Sequence, residues 1–159
     1  MAYTTVDNPE LYFQTKLYTG NSSTQSITFD GSENMQPDWV WSKARSQSDN
    51  SAVIDSVRGG QKQLRSNTKD AELTRTDAIS SFDSNGFSMG SQAELNSNSV
   101  TYVAWNWKAG GSASNNTDGS TTTSVSNNST AKFSIGTYTG TSSAATIGHG
   151  LGAAPGIII

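Results

Sequence analysis

The sequence predicts an all-β protein, an antiparallel β-sandwich, and three observations point to this fold class. Short segments rich in β-branched and aromatic residues alternate with Gly, Asn, Asp and Ser turns at the spacing typical of sandwiches and barrels. Residues 100–108 alternate strictly, with Val103, Trp105 and Trp107 on one face of the predicted strand. Asn85-Gly86 is a strong hairpin signal and predicts a type I′ turn, which needs positive φ at both central residues.

Residues 1–16 are predicted to form a short lead-in before this sandwich. Asn8 resembles a helix N-cap, followed by a proline at the first helical position and an acidic first turn. The favoured interpretation is that the apolar part of the lead-in packs against its own domain. The alternative is an anchor that docks into another protein, for which the candidate residues are Pro9, Leu11, Tyr12 and Phe13.

Residues 17–109 are predicted to be the sandwich module. The expected strands lie at 26–29, 39–41, 51–56, 62–67, 79–82, 86–89 and 100–108. The segment 51–56 is interpreted as a central strand, with 62–67 as its hairpin partner. Residues 69–78 have room for one helical turn and are too short and polar for more.

The beginning of the module returns later in the chain. Residues 16–23 are echoed by residues 136–143 at an offset of 120, and a proline followed by an apolar segment comes after each copy. A long-period repeat indicates modules strung along a chain. We therefore expect 110–131 to be a Gly/Ser/Thr/Asn-rich linker and 132–159 to be the first strands of a second, similar module. We also expect that this second module is cut off within a longer protein and does not fold by itself.

Composition excludes several classes of function. Only 14% of residues are charged, against about 25% in a typical globular protein, and the net charge is −3. No basic stripe suits a nucleic-acid backbone, and no apolar run is long enough for a membrane span. The first residues lack the basic and apolar regions of a signal peptide. The absence of cysteine excludes disulfides, zinc–thiolate sites and a cysteine nucleophile.

The sequence offers no convincing catalytic, cofactor or metal site. His149, the single histidine, lies among glycines without a Ser or Asp partner at a meaningful spacing and is interpreted as a turn residue. The segments 83–86 and 118–119 resemble fragments of calcium loops but lack the remaining oxygen ligands. One further group consists of four charged residues that are close in sequence, Asp55, Arg58, Lys62 and Arg65. It lacks a second positioned carboxylate or a histidine, so we interpret it as structural ion pairs or a polar groove.

Two Trp-x-Trp pairs leave a choice open. Each pair, Trp39/Trp41 and Trp105/Trp107, must share one face of a strand because side chains alternate along it. The favoured interpretation places all four rings in the core of the sandwich, since only 33% of the chain is hydrophobic. The alternative is an exposed pair that stacks on sugar rings or contacts another subunit.

Taken together, several motifs resemble a repeat domain of large virion-associated proteins from marine tailed bacteriophages. The motifs are 12–21 (YFQTKLYTGN), 36–41 (QPDWVW), 55–59 (DSVRG), 81–87 (SFDSNGF), 101–111 (TYVAWNWKAGG) and 148–152 (GHGLG). The resemblance covers nearly the whole chain from about residue 12. It implies lectin-like sandwich modules, of the jelly-roll or concanavalin-like kind, and carries over no catalytic residues.

The function implied by this resemblance is that of a virion structural protein, most simply a tail-fibre or appendage subunit. Such a protein is made in the host cytoplasm, docks to a tail adaptor or nozzle through its N-terminus, and presents β modules toward the host surface. A homotrimer is expected by analogy with fibres, and a host glycan is an expected partner; nucleic acid, membrane insertion and cofactors are not. The rivals are a capsid decoration protein, a carbohydrate-binding module, and, less favoured, a glycan hydrolase.

Overall fold

The computed structural model describes residues 6–159, and within them the predicted all-β class is confirmed. A 3₁₀ turn at Pro9–Leu11 precedes the first strand, and a short helix α1 spans Ala93–Asn96. The strands are β1 Phe13–Thr19, β2 Gln25–Thr28, β3 Trp39–Ala44, β4 Ala52–Asp55, β5 Lys62–Leu64, β6 Leu73–Thr74, β7 Ile79–Asp83, β8 Gly86–Met89, β9 Thr101–Trp107, β10 Ser114–Asn116, β11 Thr123–Asn128 and β12 Phe133–Thr137.

These strands form three antiparallel sheets. The large sheet has the order β1-β9-β3-β4-β5-β6, and the small sheet has the order β2-β8-β7. A third sheet, which we call the C-terminal sheet, has the order β10-β11-β12. Strand β9 lies second in the large sheet, where it is paired with β1 on one side and β3 on the other. The strand predicted at 100–108 therefore joins β3 to β1, a strand that the sequence did not predict.

The hydrophobic core lies between the large and small sheets. The large sheet contributes alternate residues, so that Val40, Ile54 and Tyr102 point inward and are at most 1% exposed. The small sheet contributes Ile79 and Phe87, which are also almost completely buried. Burying such apolar area is the main driving force for folding, and the sandwich arrangement allows each sheet to cover the inner face of the other.

Tyr18 is the clearest link between the layers. Its ring stacks on Tyr102 with the ring centroids 5.2 Å apart and meets Phe87 of the small sheet edge-on at 6.4 Å. Its hydroxyl donates to the Leu95 carbonyl at 2.9 Å and lies 3.0 Å from Ser42 Oγ. Burial raises the pKa of the Tyr18 hydroxyl, so it stays a neutral hydrogen-bonding group.

The hairpin of β7 and β8 is confirmed, but the predicted type I′ turn is wrong. Asp83 pairs with Gly86, which leaves Ser84 and Asn85 as the two loop residues. Positive φ occurs at Gly86 (+119°), not at these two residues, whereas type I′ needs it at both of them. Gly86 also accepts no side chain, because a Cβ there would collide with the carbonyl oxygen of Ile27.

The lead-in and linker differ from expectation. The Asn8 cap is present, with Asn8 Oδ1 accepting the Glu10 amide at 3.1 Å, but residues 13–16 already belong to β1. Residues 110–131 contain β10 and β11, so this segment forms two strands of the C-terminal sheet and is not the predicted linker. Its polar side chains bind neighbouring backbone, as when Ser126 Oγ accepts the Gly110 amide at 3.0 Å. The sequence predicted a linker here because the segment is polar. Strands that are held by side-chain hydrogen bonds show no alternation of hydrophobic residues by which they could be recognised.

Between residues 69 and 78 the structure has a short strand, β6, and no helical turn. The helical turn forms instead at α1, a segment for which the sequence analysis predicted no element. Within residues 6–159, no helix has the length and hydrophobicity required to cross a membrane.

The 120-residue repeat is visible in the backbone. Ser22 and Ser142 share an uncommon left-handed conformation, with φ of 53° and 58°. Asn8 and Asn128 each accept the amide of the residue two positions later, at 3.1 Å in both cases. The two copies differ in the burial of equivalent residues. Tyr18 is 9% exposed, whereas its counterpart Tyr138 is 58% exposed.

This pair of tyrosines provides a matched test of the core. Tyr18→Phe is expected to lower the free energy of unfolding by about 1–2 kcal/mol, because the buried Leu95 carbonyl loses its donor. Tyr138→Phe removes the same hydroxyl from an exposed site and is expected to change it by less than about 0.5 kcal/mol. Urea unfolding measures both, and equal effects would contradict the burial of Tyr18.

Candidate functional site

The four tryptophans lie on the outer face of the large sheet, so the prediction that they form the sandwich core is wrong. Trp39 pairs with Trp107 and Trp41 with Trp105 across β3 and β9, and all four are half-buried. The core cluster of the described residues includes none of them. The small sheet covers the opposite face of β3 and β9, where the intervening residues of both strands, such as Val40, take the inward positions.

We define the aromatic face as Phe13, Trp39, Trp41, Trp105 and Trp107. Directly opposed residues of antiparallel strands project to the same side, so these rings lie in two adjacent rows. In one row, Trp107 lies between Phe13 at 4.8 Å and Trp39 at 6.2 Å, measured between ring centroids. In the other row, the Trp41 and Trp105 rings are 5.7 Å apart and tilted by 60°.

The first row is covered by the C-terminal sheet. Phe133, the first residue of β12, packs edge-on against Trp39 at 5.6 Å and stacks on Trp107 at 6.1 Å. The second row has a different border, with Thr15 exposed beside Trp105 and Leu64 39% exposed two strands beyond Trp41. Leu17, one row further, is 56% exposed. The aromatic face therefore has one end that contacts Phe133 and a second end, at Trp41 and Trp105, whose half-buried rings are bordered by exposed residues. We call this second end the open end.

The charged groups at the aromatic face are hydrogen-bonded. Asp55 is opposite Trp39 and accepts Arg58 Nε at 2.7 Å, with further bonds from the Val57 and Arg58 amides. Lys43, next to the open end, donates its ammonium to the Asp49 carbonyl at 2.6 Å. Among these groups the Lys43 ammonium is the one charge without an oppositely charged partner, and the open end otherwise consists of aromatic rings, aliphatic groups and hydroxyls.

Two indole N–H groups of this face are buried without a hydrogen-bond acceptor in the described part of the chain, namely those of Trp39 and Trp41. Each ring stands at a steep angle to a neighbouring ring, 61° for Trp39 against Phe133. Edges aimed at ring faces are the favourable arrangement of aromatic pairs, because ring edges are positive and ring faces negative. The rings are thus held in place by one another.

The predicted docking residues are divided by the structure. Pro9 and Leu11 are exposed, Tyr12 is half-buried, and Phe13 belongs to the aromatic face. The turn that carries them is fastened to the loop after β2, where Glu10 Oε2 accepts the Ser32 hydroxyl at 2.6 Å and the Ser32 amide at 2.7 Å. These two hydrogen bonds lower the pKa of Glu10, the bond from the Ser32 hydroxyl more than the bond from the Ser32 amide. Pro9 and Leu11 therefore form an exposed apolar tip on a turn that the Glu10–Ser32 hydrogen bonds fix in place.

The charged residues singled out in the sequence form ion pairs in two separate groups. Arg58 joins Asp55 to Glu72 at 3.1 Å, and Lys62 approaches the same Glu72 at 3.9 Å. Arg65 belongs to the second group, with Asp70 at 3.1 Å and Glu94. This outcome agrees with the prediction of structural ion pairs.

Glu94, which the sequence analysis missed, is the buried carboxylate of the second group. It lies on α1 and accepts hydrogen bonds from Arg65, Gln63 and Asn50. Burial by itself raises the pKa of Glu94, but the bonds from Arg65, Asn50 and Gln63 outweigh it and the pKa lies below its ordinary value. A carboxylate with every oxygen occupied stabilises the fold and is not free to act as a base.

The other polar candidates lie in turns or next to them. His149 Nδ1 accepts the Leu151 amide at 3.1 Å, as the turn interpretation predicts. The Asp83 carboxylate accepts the hydroxyls of Ser81 and Ser88, both at 2.7 Å. No group of three or more His, Asp or Glu side chains suited to a metal ion occurs in the part of the chain that the structure covers.

An all-β sandwich with an aromatic outer face is the class of protein that this structure defines. The chain belongs to the family described as Domain of unknown function (DUF7483), which matches residues 8–159. No curated protein and no solved structure matches it.

Glu94 gives a prediction about acid stability. Its pKa is lowered on folding, so its contribution is present above the unfolded-state pKa of about 4.3 and is lost as the pH falls through the folded value. Glu94→Gln should therefore cost about 2 kcal/mol at neutral pH and progressively less below about pH 4. Urea unfolding across this pH range measures the difference. Glu72→Gln, at an exposed pair, is the control and should cost less than about 1 kcal/mol.

Proposed function

We propose that this protein is a structural subunit of a bacteriophage virion, a tail fibre or similar appendage that presents β modules toward the host surface. The resemblance of its motifs to virion-associated repeat domains supports the phage context. The geometry supports the structural role, because the ionisable groups singled out are used in ion pairs and turns. We expect no enzymatic activity from these residues.

The observation that carries the proposal is the junction between the repeats. Phe133 lies against Trp39 and Trp107, so the second repeat begins in contact with the first. The junction is also held by side chain–backbone hydrogen bonds: the Gly110 amide donates to Ser126 Oγ, and Asn128 Nδ2 donates to the Ala109 carbonyl at 3.4 Å. Repeats joined in this way form a rod rather than beads on a flexible string, and a rod suits an appendage.

The N-terminal turn suits attachment to the particle. Pro9 and Leu11 are exposed on a turn that Glu10 holds against Ser32, so an apolar tip is presented with little loss of conformational freedom on docking. A tail adaptor or nozzle protein is the partner we propose for this tip. A homotrimer is the assembly we propose by analogy with fibres, in which several weak host contacts add up through avidity.

Immunogold labelling of intact particles tests this function. Antibody raised against residues 17–109 is expected to place gold at the tail of the phage that encodes the chain. Gold spread over the whole shell would indicate a capsid decoration protein instead. Absence of label on particles would overturn the proposal, provided that the same antibody detects the protein in infected cells.

The junction makes a separate prediction. Phe133→Ala is expected to weaken the contact between repeats by about 1–2 kcal/mol, which corresponds to roughly tenfold faster amide exchange in residues 133–137. Tyr138→Ala, an exposed aromatic of the same repeat, is the matched control and should leave exchange there unchanged. Hydrogen exchange followed by mass spectrometry measures both. Equal exchange in wild type and Phe133→Ala would contradict the rigid junction.

A further inference from the structure

We propose that the open end of the aromatic face is a binding site for uncharged sugar rings of a surface polysaccharide. The site comprises Trp41 and Trp105 as the stacking rings, with Thr15, Leu17 and Leu64 around them. The inference rests on the proposed function only in taking the host surface as the source of the polysaccharide. The chemistry of binding stands on the site itself.

The shape of the site is fixed before any ligand arrives. Trp41 and Trp105 are held by adjacent, hydrogen-bonded strands, and their rings lie 5.7 Å apart. The row that contacts Phe133 lies beside them on the same face of the sheet, so the two rows continue an interface that the protein already uses for aromatic packing. A preformed aromatic platform loses little entropy on binding. Sugar rings stack on such a platform through their apolar C–H faces.

Charge favours an uncharged partner. The neighbouring cations are engaged, Lys43 with the Asp49 carbonyl and Arg58 with Asp55 and Glu72. Among these cations an anionic polymer would find one without a carboxylate partner, the Lys43 ammonium, which is already bonded to a carbonyl. A cationic segment would find no free carboxylate at Asp55. Thr15, an exposed residue, is directly opposite Trp105 in the sheet, and its hydroxyl can both donate and accept a hydrogen bond. Hydroxyl groups of a neutral sugar match this chemistry.

The size of the site favours a sugar over a second copy of this chain. The open end consists of about five residues, whereas a stable protein–protein interface uses about 20–30 residues on each side. Two or three stacked sugar rings would cover it. The affinity of one such site is weak, and the repetition of binding sites in an oligomer compensates for this.

Affinity gel electrophoresis of the full chain tests the site. Gels containing hydroxyethyl cellulose, dextran, galactomannan or chitohexaose-grafted polyacrylamide supply neutral rings, and dextran sulfate supplies the charged comparison. At least one neutral gel is expected to retard the wild-type chain. Trp105→Ala is expected to weaken that retardation at least about tenfold, as for a central aromatic anchor. Tyr138→Ala, which removes an exposed aromatic outside the site, should be retarded like wild type.

A second measurement guards against a variant that merely unfolds. Wild-type tryptophan fluorescence is titrated with the retarding polysaccharide, and the ligand is expected to protect the indoles from iodide quenching. Trp105→Phe, which keeps an apolar ring on β9, should fold as judged by circular dichroism and bind with intermediate affinity.

Three outcomes would overturn the proposal. They are no retardation of wild type in any neutral gel, retardation by dextran sulfate alone, and full retardation of folded Trp105→Ala. Concentration-dependent dimerisation lost in Trp105→Ala would assign the face to a second copy instead. Each result is independent of the immunogold experiment, so the structural role and the sugar site can fail separately.

Discussion

Strand β9 is the element on which the rest of the structure depends. It bonds to β1 and β3 at once, and its strict alternation gives two faces with different uses. The inward residues, with Tyr102 fully buried, build the core against the small sheet. The outward residues Trp105 and Trp107 build the aromatic face. A shift of one residue in its pairing would exchange these faces, so its register is strongly specified.

Much of the fold could be predicted because it rests on local signals. Residues close together in the sequence were enough to predict three features: the alternation of 100–108, the hairpin around Asn85 and the Asn8 cap. The position of the tryptophans could not be predicted in the same way. Alternation shows which residues share a face, but not which face the other sheet covers. The face that the small sheet covers is the one that carries Val40 and Tyr102, which are at most 1% exposed.

The candidate site shows the same division between local and long-range information. The pairing of Arg58 with Asp55 spans three residues and was anticipated, whereas Glu94 contacts Arg65 from 29 residues away. Phe133 carried a signal that was available, since it stands at an offset of 120 from Phe13. Extending the repeat by a few residues would have found it. The order in 110–131 had no such signal, because its strands are stabilised by Ser and Asn hydrogen bonds.

The contact of Phe133 with Trp39 and Trp107 also determines how the chain carries a load. Tension on the later residues reaches the large sheet through a packed aromatic ring and through the strands on either side of it. The junction therefore resists stretching until that packing breaks, instead of lengthening gradually as a Gly/Ser coil does. A yield point of this kind keeps the distance between repeats constant under small forces.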